Sequence, residues 1–334
     1  LARRRRCATL RARMTVPRQE HTRALLMLLL ANLFWGLSFP LVKVMALTQQ
    51  LAVPASGNWF ITAMSVAPRF LIATVVIAVL ARKQLLGSIT ANERRQGLLL
   101  GLSAGIGMLF QNDGLQFTSA STSAFLTQFY ALMIPLWLAV RTRRAPRPIV
   151  WLCSALVLAG VAILGRFDFR TMRLGRGELE TLICSGFFMW QILTLENRRY
   201  HGNRVMPVTV TMFATEAVLF TIMALFTAPR PADFLAPWGS GPWLGFTLLL
   251  TLFCTLGSFT IMNQWQPKIT ATEAGLIYCA EPVFTALMAL FLPAIFAGWS
   301  GVDYPNERVT WHLLVGGGLI TLANALIQLK PPAP

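Results

Sequence analysis

The chain has 334 residues, 55% of them hydrophobic and 13% charged, with a formal net charge of +16. Apolar runs of roughly 20 residues recur from Arg23 to the C-terminal end, the length that spans a ~30 Å hydrocarbon core, which excludes an ordinary soluble domain. There is no long polar domain in which to build a basic groove, so the positive charge speaks for membrane topology and not for nucleic acid.

The segment LARRRRCATLRAR before Met14 carries six arginines and no apolar stretch. It reads as either a wrongly assigned start or a disordered cytoplasmic tail, and residues 1–22 as a whole form the N-terminal tail. The run 23–46 is longer than a signal h-region and lacks a convincing small-residue cleavage site, so it is a retained first span. Ten helices follow from the apolar runs, at 23–46, 59–81, 96–117, 119–141, 147–165, 177–197, 205–227, 243–265, 271–292 and 310–329. Short links after the third and the eighth force antiparallel hairpins. Residues 228–242 and 293–309, rich in Pro, Gly and Asp, are external connections.

With the N-terminus inside, 21 Lys and Arg residues fall in the cytoplasmic segments against 6 in the external ones, which places both termini in the cytoplasm. Arg166, Arg170, Arg173 and Arg176 go against this rule locally. A shift of 150 residues lays QFTSASTSAFLTQF at Gln116 onto QPKITATEAGLIYC at Gln266, matching Gln116 with Gln266, Thr122 with Thr272, Ala124 with Ala274 and Leu126 with Leu276. Each half holds five spans, and an odd number starts the second half on the opposite face. The predicted fold is therefore an all-α integral membrane protein, ten transmembrane helices as two inverted five-helix repeats, 23–165 and 177–329, with a site near the midplane between them.

The ninth helix sets a carboxylate and a proline side by side in an apolar run, Glu281 and Pro282. An ionisable residue at bilayer depth costs ~2.5–3.5 kcal/mol even on lenient scales and is a functional-site hypothesis by default. Pro282 has no N–H to bond the carbonyl of Tyr278 and its ring crowds that turn, so the helix is expected to break there. In the first span, Pro40 frees the carbonyl of Gly36 beside Trp35 and predicts a second break. Pro135 stands mid-helix in the fourth span, whose Ala131 aligns with Glu281, so the kink belongs to both repeats and the carboxylate to one.

The aromatic cavity candidates are Trp35 and Trp190, in comparable places of the first span of each repeat, with Tyr130 and Tyr278 on the fourth and ninth helices. Gln128, Gln191 and Asn263 are polar at depth and need partners across helices or on a solute. Glu216, midway along the seventh helix, ranks second to Glu281, while Asp113, Glu180, Glu196 and Glu273 lie near span ends. Lys43 sits where its stem can snorkel. Gly97, Gly101 and Gly105, at four-residue spacing, read as helix packing and not as a phosphate loop.

WGLSFPLVK, RFLIATVVIAVLARK after Pro68, the GLQFTSASTSAFL hairpin and ATEAGLIYCAEPVFTALMAL together resemble the EamA-type transporters of the drug/metabolite transporter superfamily, from about Arg23 to Leu329. The resemblance implies ten helices in two inverted repeats, moving small metabolites or amino acids across the bacterial inner membrane, usually outward. A glutamate followed by proline is common at this place in that family whatever the solute, which gives Glu281 a structural or gating role as well as a coupling one.

The five cysteines, Cys7, Cys153, Cys184, Cys254 and Cys279, show no pairing framework and no metal spacing. No HExxH, GxSxG or paired intramembrane aspartates occur, and His21, His201 and His312 stand at span ends or in loops. The expectation is a secondary transporter, monomer or homodimer in the lipid bilayer, with no cofactor, no metal and no nucleic-acid partner. A channel or an intramembrane enzyme without a recognisable motif is the alternative. Proton coupling, where present, is assigned to Glu281. A neutral or amphipathic solute is favoured over a polyanion because the deep positions are read as carrying carboxylates and aromatics and not arginines.

Overall fold

A computed structural model describes residues 18–85, 88–114, 117, 123, 126–164 and 175–329. The arginine-rich leader with Cys7, the repeat positions Gln116, Thr122 and Ala124, and Arg166, Arg170 and Arg173 lie outside the described residues. Within them the chain is helical, with no strand.

The first helix, α1 (Arg18–Ala52), is 35 residues long and starts inside the predicted tail. It is followed by α2 (Asn58–Leu80), α3 (Ala91–Gly114), α4 (Tyr130–Thr142) and α5 (Pro148–Leu164). The second half has α6 (Arg176–Glu196), α7 (Val205–Thr227) and α8 (Gly241–Lys268). It closes with α9 (Ala271–Tyr278), α10 (Glu281–Ala289), α11 (Leu292–Ser300) and α12 (Trp311–Leu329). Four helices, 19–52, α2, α7 and α8, are long and apolar enough to cross a bilayer, and α9–α10 with α11 makes a fifth if its 60° bend is counted within one span. Part of α4, α5 and α12 are shorter but apolar.

Three features depart from the sequence expectations. First, α1 runs unbroken through Pro40. Gly36 serves a close approach instead: a Cβ there would lie 2.7 Å from Phe284 Cβ on α10, so α1 and α10 touch backbone to backbone. Second, 293–309 is not simply a connection, since Leu292–Ser300 forms α11. Third, α8 is irregular: Leu250–Gly257 is a π-helical segment between two α-helical ones. Such insertions occur frequently at functional sites.

The packing follows from small residues and polar clasps. The row Gly97, Gly101 and Gly105 faces α7, where added Cβ atoms would meet Val208 O at 2.7 Å, Met212 O at 2.7 Å and Leu219 Cδ2 at 2.8 Å. Gly160 and Gly316 bring α5 and α12 together in the same way. Arg204 grips Glu93 with Nε–Oε1 at 2.7 Å and Nη2–Oε2 at 2.9 Å, tying the start of α7 to the start of α3. That guanidinium holds the Glu93 carboxyl, in the first turn ahead of the apolar run, down at about 2. At the other end of α3, Asp113 accepts from Arg176 Nη2 at 2.6 Å, joining α3 to α6. The start of α1 is held to the α8–α9 hairpin by Lys268–Glu20 at 2.6 Å and His21–Glu273 at 3.2 Å.

Candidate functional site

The helices α1, α2, α7, α8 and α9 meet in an aromatic centre. Trp35 sets its ring edge-on to Phe259 and to Tyr278, each with centroids 5.4 Å apart. Phe259 continues to Phe70 at 5.9 Å and Phe213 at 6.3 Å, and those two are 5.5 Å from each other. Edge-to-face rings at these separations are in their favoured arrangement. Around them stand buried polar atoms without a hydrogen-bond partner: Trp35 Nε1, Thr255 Oγ1, Asn263 Oδ1 and Thr285 Oγ1. A buried polar atom left unpaired costs ~1–3 kcal/mol, so these four are candidates to bond a solute.

The interruption expected at Pro282 falls in the turn just before it and is local, since Ala271–Ala289 still runs as one helical element and the 60° bend comes after it, before α11. Helix α9 ends at Tyr278, Cys279 and Ala280 form a turn, and α10 opens on Glu281 with Pro282 in its first turn. Proline fits there because its missing N–H belongs to a position that has no helical partner anyway. The two halves differ in setting. Every residue of α9 is buried, whereas α10 from Glu281 to Met288 is half-buried or exposed on all sides. Glu281 is half-buried at this junction. It interacts electrostatically with Tyr130, Cys184, Cys254 and Cys279, which places a carboxylate among α4, α6, α8 and α9.

The other predicted residues sort by position. The Tyr278 hydroxyl donates to Gln266 Oε1 at 2.8 Å, and Gln266 Nε2 donates to Ile192 O at 2.8 Å, fastening α9 to α6 through a residue the sequence reading used only to align the repeats. The Tyr130 hydroxyl donates to Gln128 Oε1 at 2.7 Å, and Tyr130 and Ile134 close on Gly275 of α9. Asn263 Nδ2 reaches Thr209 Oγ1 at 3.0 Å, and buried Gln191 leaves its Nε2 unpaired. Pro135 is buried within a continuous α4. Trp190 is not part of the centre. It is 45% exposed, meets Trp137 edge-on at 6.4 Å and lines an outward-facing groove of about 460 Å³ with Leu99, Leu102 and Ile183. Lys43 rests over the Tyr304 ring at 5.3 Å.

Sequence reasoning missed Arg69. It lies eleven residues from either end of α2 and is only 7% exposed, so an arginine does occur at depth, contrary to the premise behind a neutral solute. The signal was a lone cation in the middle of a 23-residue apolar helix. Among the described residues no group of three or more His, Cys, Asp or Glu is placed to hold a metal ion, and Cys153, Cys184, Cys254 and Cys279 are free thiols.

A protein of Archaeoglobus fulgidus, described as an uncharacterized transporter, is 24% identical over 306 residues, covering 91% of this chain and 85% of that protein. A protein of known crystal structure shares the fold with a TM-score of 0.65 at 19% identity, over 92% of this chain and 98% of the other. Together with the apolar helices, these similarities support a multi-pass membrane protein. Residues 22–166 match the model of the EamA-like transporter family, so the resemblance seen in the sequence is borne out over that stretch.

Proposed function

We propose that the chain is a secondary transporter of the drug/metabolite type, exporting small metabolites or amino acids across the bacterial inner membrane by alternating access. In this reading it has ten spans in two inverted repeats, 23–165 and 177–329, with both termini in the cytoplasm. The pairing of helices supports the repeat: α2 packs along α7 and α5 along α12, each joining the elements that a two-fold relation between halves would make equivalent. The helix break is assigned to Pro282 alone, since α1 and α4 pass through Pro40 and Pro135 without interruption.

The single observation that carries the proposal is the junction at Glu281, where the fully buried α9 meets the half-buried α10, beside an aromatic centre with unpaired polar atoms. Trp35, Gln128, Tyr130, Gln191, Tyr278 and Glu281 are its solute-facing residues, Asn263 ties α8 to α7 through Thr209, and protons, where coupled, pass through Glu281. The test is flux in proteoliposomes with the full chain inserted in one orientation, against a panel of amino acids and small aromatic solutes. Saturable, competable flux is the expected result. Conductance without saturation would assign a channel, and no flux of any solute would remove the proposal.

A further inference from the structure

Arg69 and Glu216 occupy the same level of two packed helices. Each is eleven residues from both ends of its 23-residue helix, ~16 Å at 1.5 Å per residue, so both stand halfway through α2 and α7. Arg69 is 7% exposed and Glu216 0%. Arg69 Nη2 finds only the thioether of Met108, at 3.5 Å, and its Nε has no hydrogen-bond partner. Both oxygens of Glu216 are unpaired too, although the two side chains lie within electrostatic reach of each other. Cys254, from the π segment of α8, is the other titratable group facing Arg69 among the described residues, and it in turn interacts with Glu281.

A charge in such a place is stable only when paired and hydrogen-bonded, and a guanidinium offers a planar fork that matches a carboxylate on two parallel bonds. The protein leaves that fork unfilled. Beside it lies the Phe70 ring, 5.2 Å from the guanidinium carbon, and through Phe70 the triad with Phe213 and Phe259.

We propose that Arg69 anchors the carboxylate of a small solute whose apolar or aromatic body lies against Phe70, Phe213 and Phe259, with Glu216 keeping the site neutral. In the empty site the Arg69 charge is opposed by Glu216 across a gap. When the solute carboxylate takes the fork, Glu216 accepts one cation, either a proton from water or the ammonium group of the solute itself. The low exposure of both residues means the site is sealed in this conformation, so the solute enters when α2 separates from α7 and α8. This rests on the transporter reading and replaces the neutral solute with a carboxylate-bearing one.

The experiment uses the full chain in lipid nanodiscs and four probes with one aromatic body and different heads: benzoate, phenylalanine, benzylamine and benzamide. Binding is followed by calorimetry in buffers of different ionisation enthalpy, which counts protons. Benzoate and phenylalanine are expected to bind at least about tenfold more tightly than the other two, as the loss of a hydrogen bond to a charged group predicts. Arg69→Gln removes that preference and Arg69→Lys keeps part of it. Benzoate binding is expected to take up a proton in the wild type and not in Glu216→Gln. Should Arg69→Gln fail to fold with Glu216 left unpaired, the double variant Arg69→Gln/Glu216→Gln removes both charges and must still lose benzoate. Unchanged benzoate affinity in either variant, benzamide binding as tightly as benzoate, or no binding of any probe to folded wild type would overturn the site. Benzoate binding that depends on Arg69 but gives no flux in proteoliposomes would retire the transporter reading alone. Flux of benzamide with no preference for carboxylates would retire the site alone.

Discussion

At the scale of single residues, a charge inside an apolar helix is the plainest sign of a working group, and two of the carboxylates, Glu281 inside the membrane and Glu93 outside it, have different duties to test. If protons couple through Glu281, Glu281→Gln keeps the shape of the junction and uncouples proton movement from solute flux, measured with a pH-sensitive dye in proteoliposomes. Proton movement that persists in step with flux would remove that assignment. Outside the membrane, Glu93 supplies a pH dependence of stability. Its folded value, held at about 2 by Arg204, lies below the ordinary carboxylate range, so its contribution is full above that range and is lost as the pH falls toward 2. Wild type should melt above Glu93→Gln at neutral pH, and the gap should close between about pH 4 and pH 2. How much of the site the sequence disclosed also belongs here. Glu281, Trp35 and Tyr278 were legible because their types are conspicuous in an apolar run. Phe259, Phe70 and Phe213 were not, because only the fold sorts three phenylalanines from 22. Trp190 was misplaced because it stands 155 residues after Trp35 whereas the repeat offset is 150, and five residues at about 100° each leave a side chain turned by about 140°.

At the scale of elements, the glycine row of α3 was legible from its spacing, and it makes a quantitative prediction. A Cβ at Gly101 would stand 2.7 Å from Met212 O, a backbone atom that cannot rotate away. Gly101→Ala should destabilise the chain by about 1–3 kcal/mol, the usual cost of overpacking, read as a lower melting temperature in detergent. Gly298 in α11 has nothing within 4 Å of its added Cβ, and Gly298→Ala should raise stability by about 0.5–1 kcal/mol through helix propensity. Equal effects at the two sites would count against the close approach of α3 and α7. What the sequence did not disclose were the bend before α11 and the π segment of α8. The apolar run continues through Phe291 and Leu292 to Phe296, and its mark of the 60° change in direction is Pro293, in the first turn of α11, which composition alone reads as the start of a connection. A π segment is likewise made of the same apolar residues as the helix around it.

At the scale of the whole molecule, orientation can be read with thiol chemistry in a Cys7→Ser background, because Cys153, Cys184, Cys254 and Cys279 are buried and stay silent toward a polar reagent. With both termini inside, Arg230→Cys and Asn306→Cys should react in intact cells with a membrane-impermeant maleimide, whereas Arg144→Cys should react only after the membrane is opened. The reverse pattern would invert the topology. The π segment of α8 has a consequence at this scale as well. Leu250–Gly257 amounts to one residue inserted into a helix, and everything after it is turned by roughly a quarter of a circle relative to an uninterrupted α-helix. Phe259 and Asn263 reach the aromatic centre only in that rotated phase. Deleting one residue between Leu250 and Gly257 would therefore leave a regular helix of nearly the same length, and would swing the wall of the centre out toward the lipid.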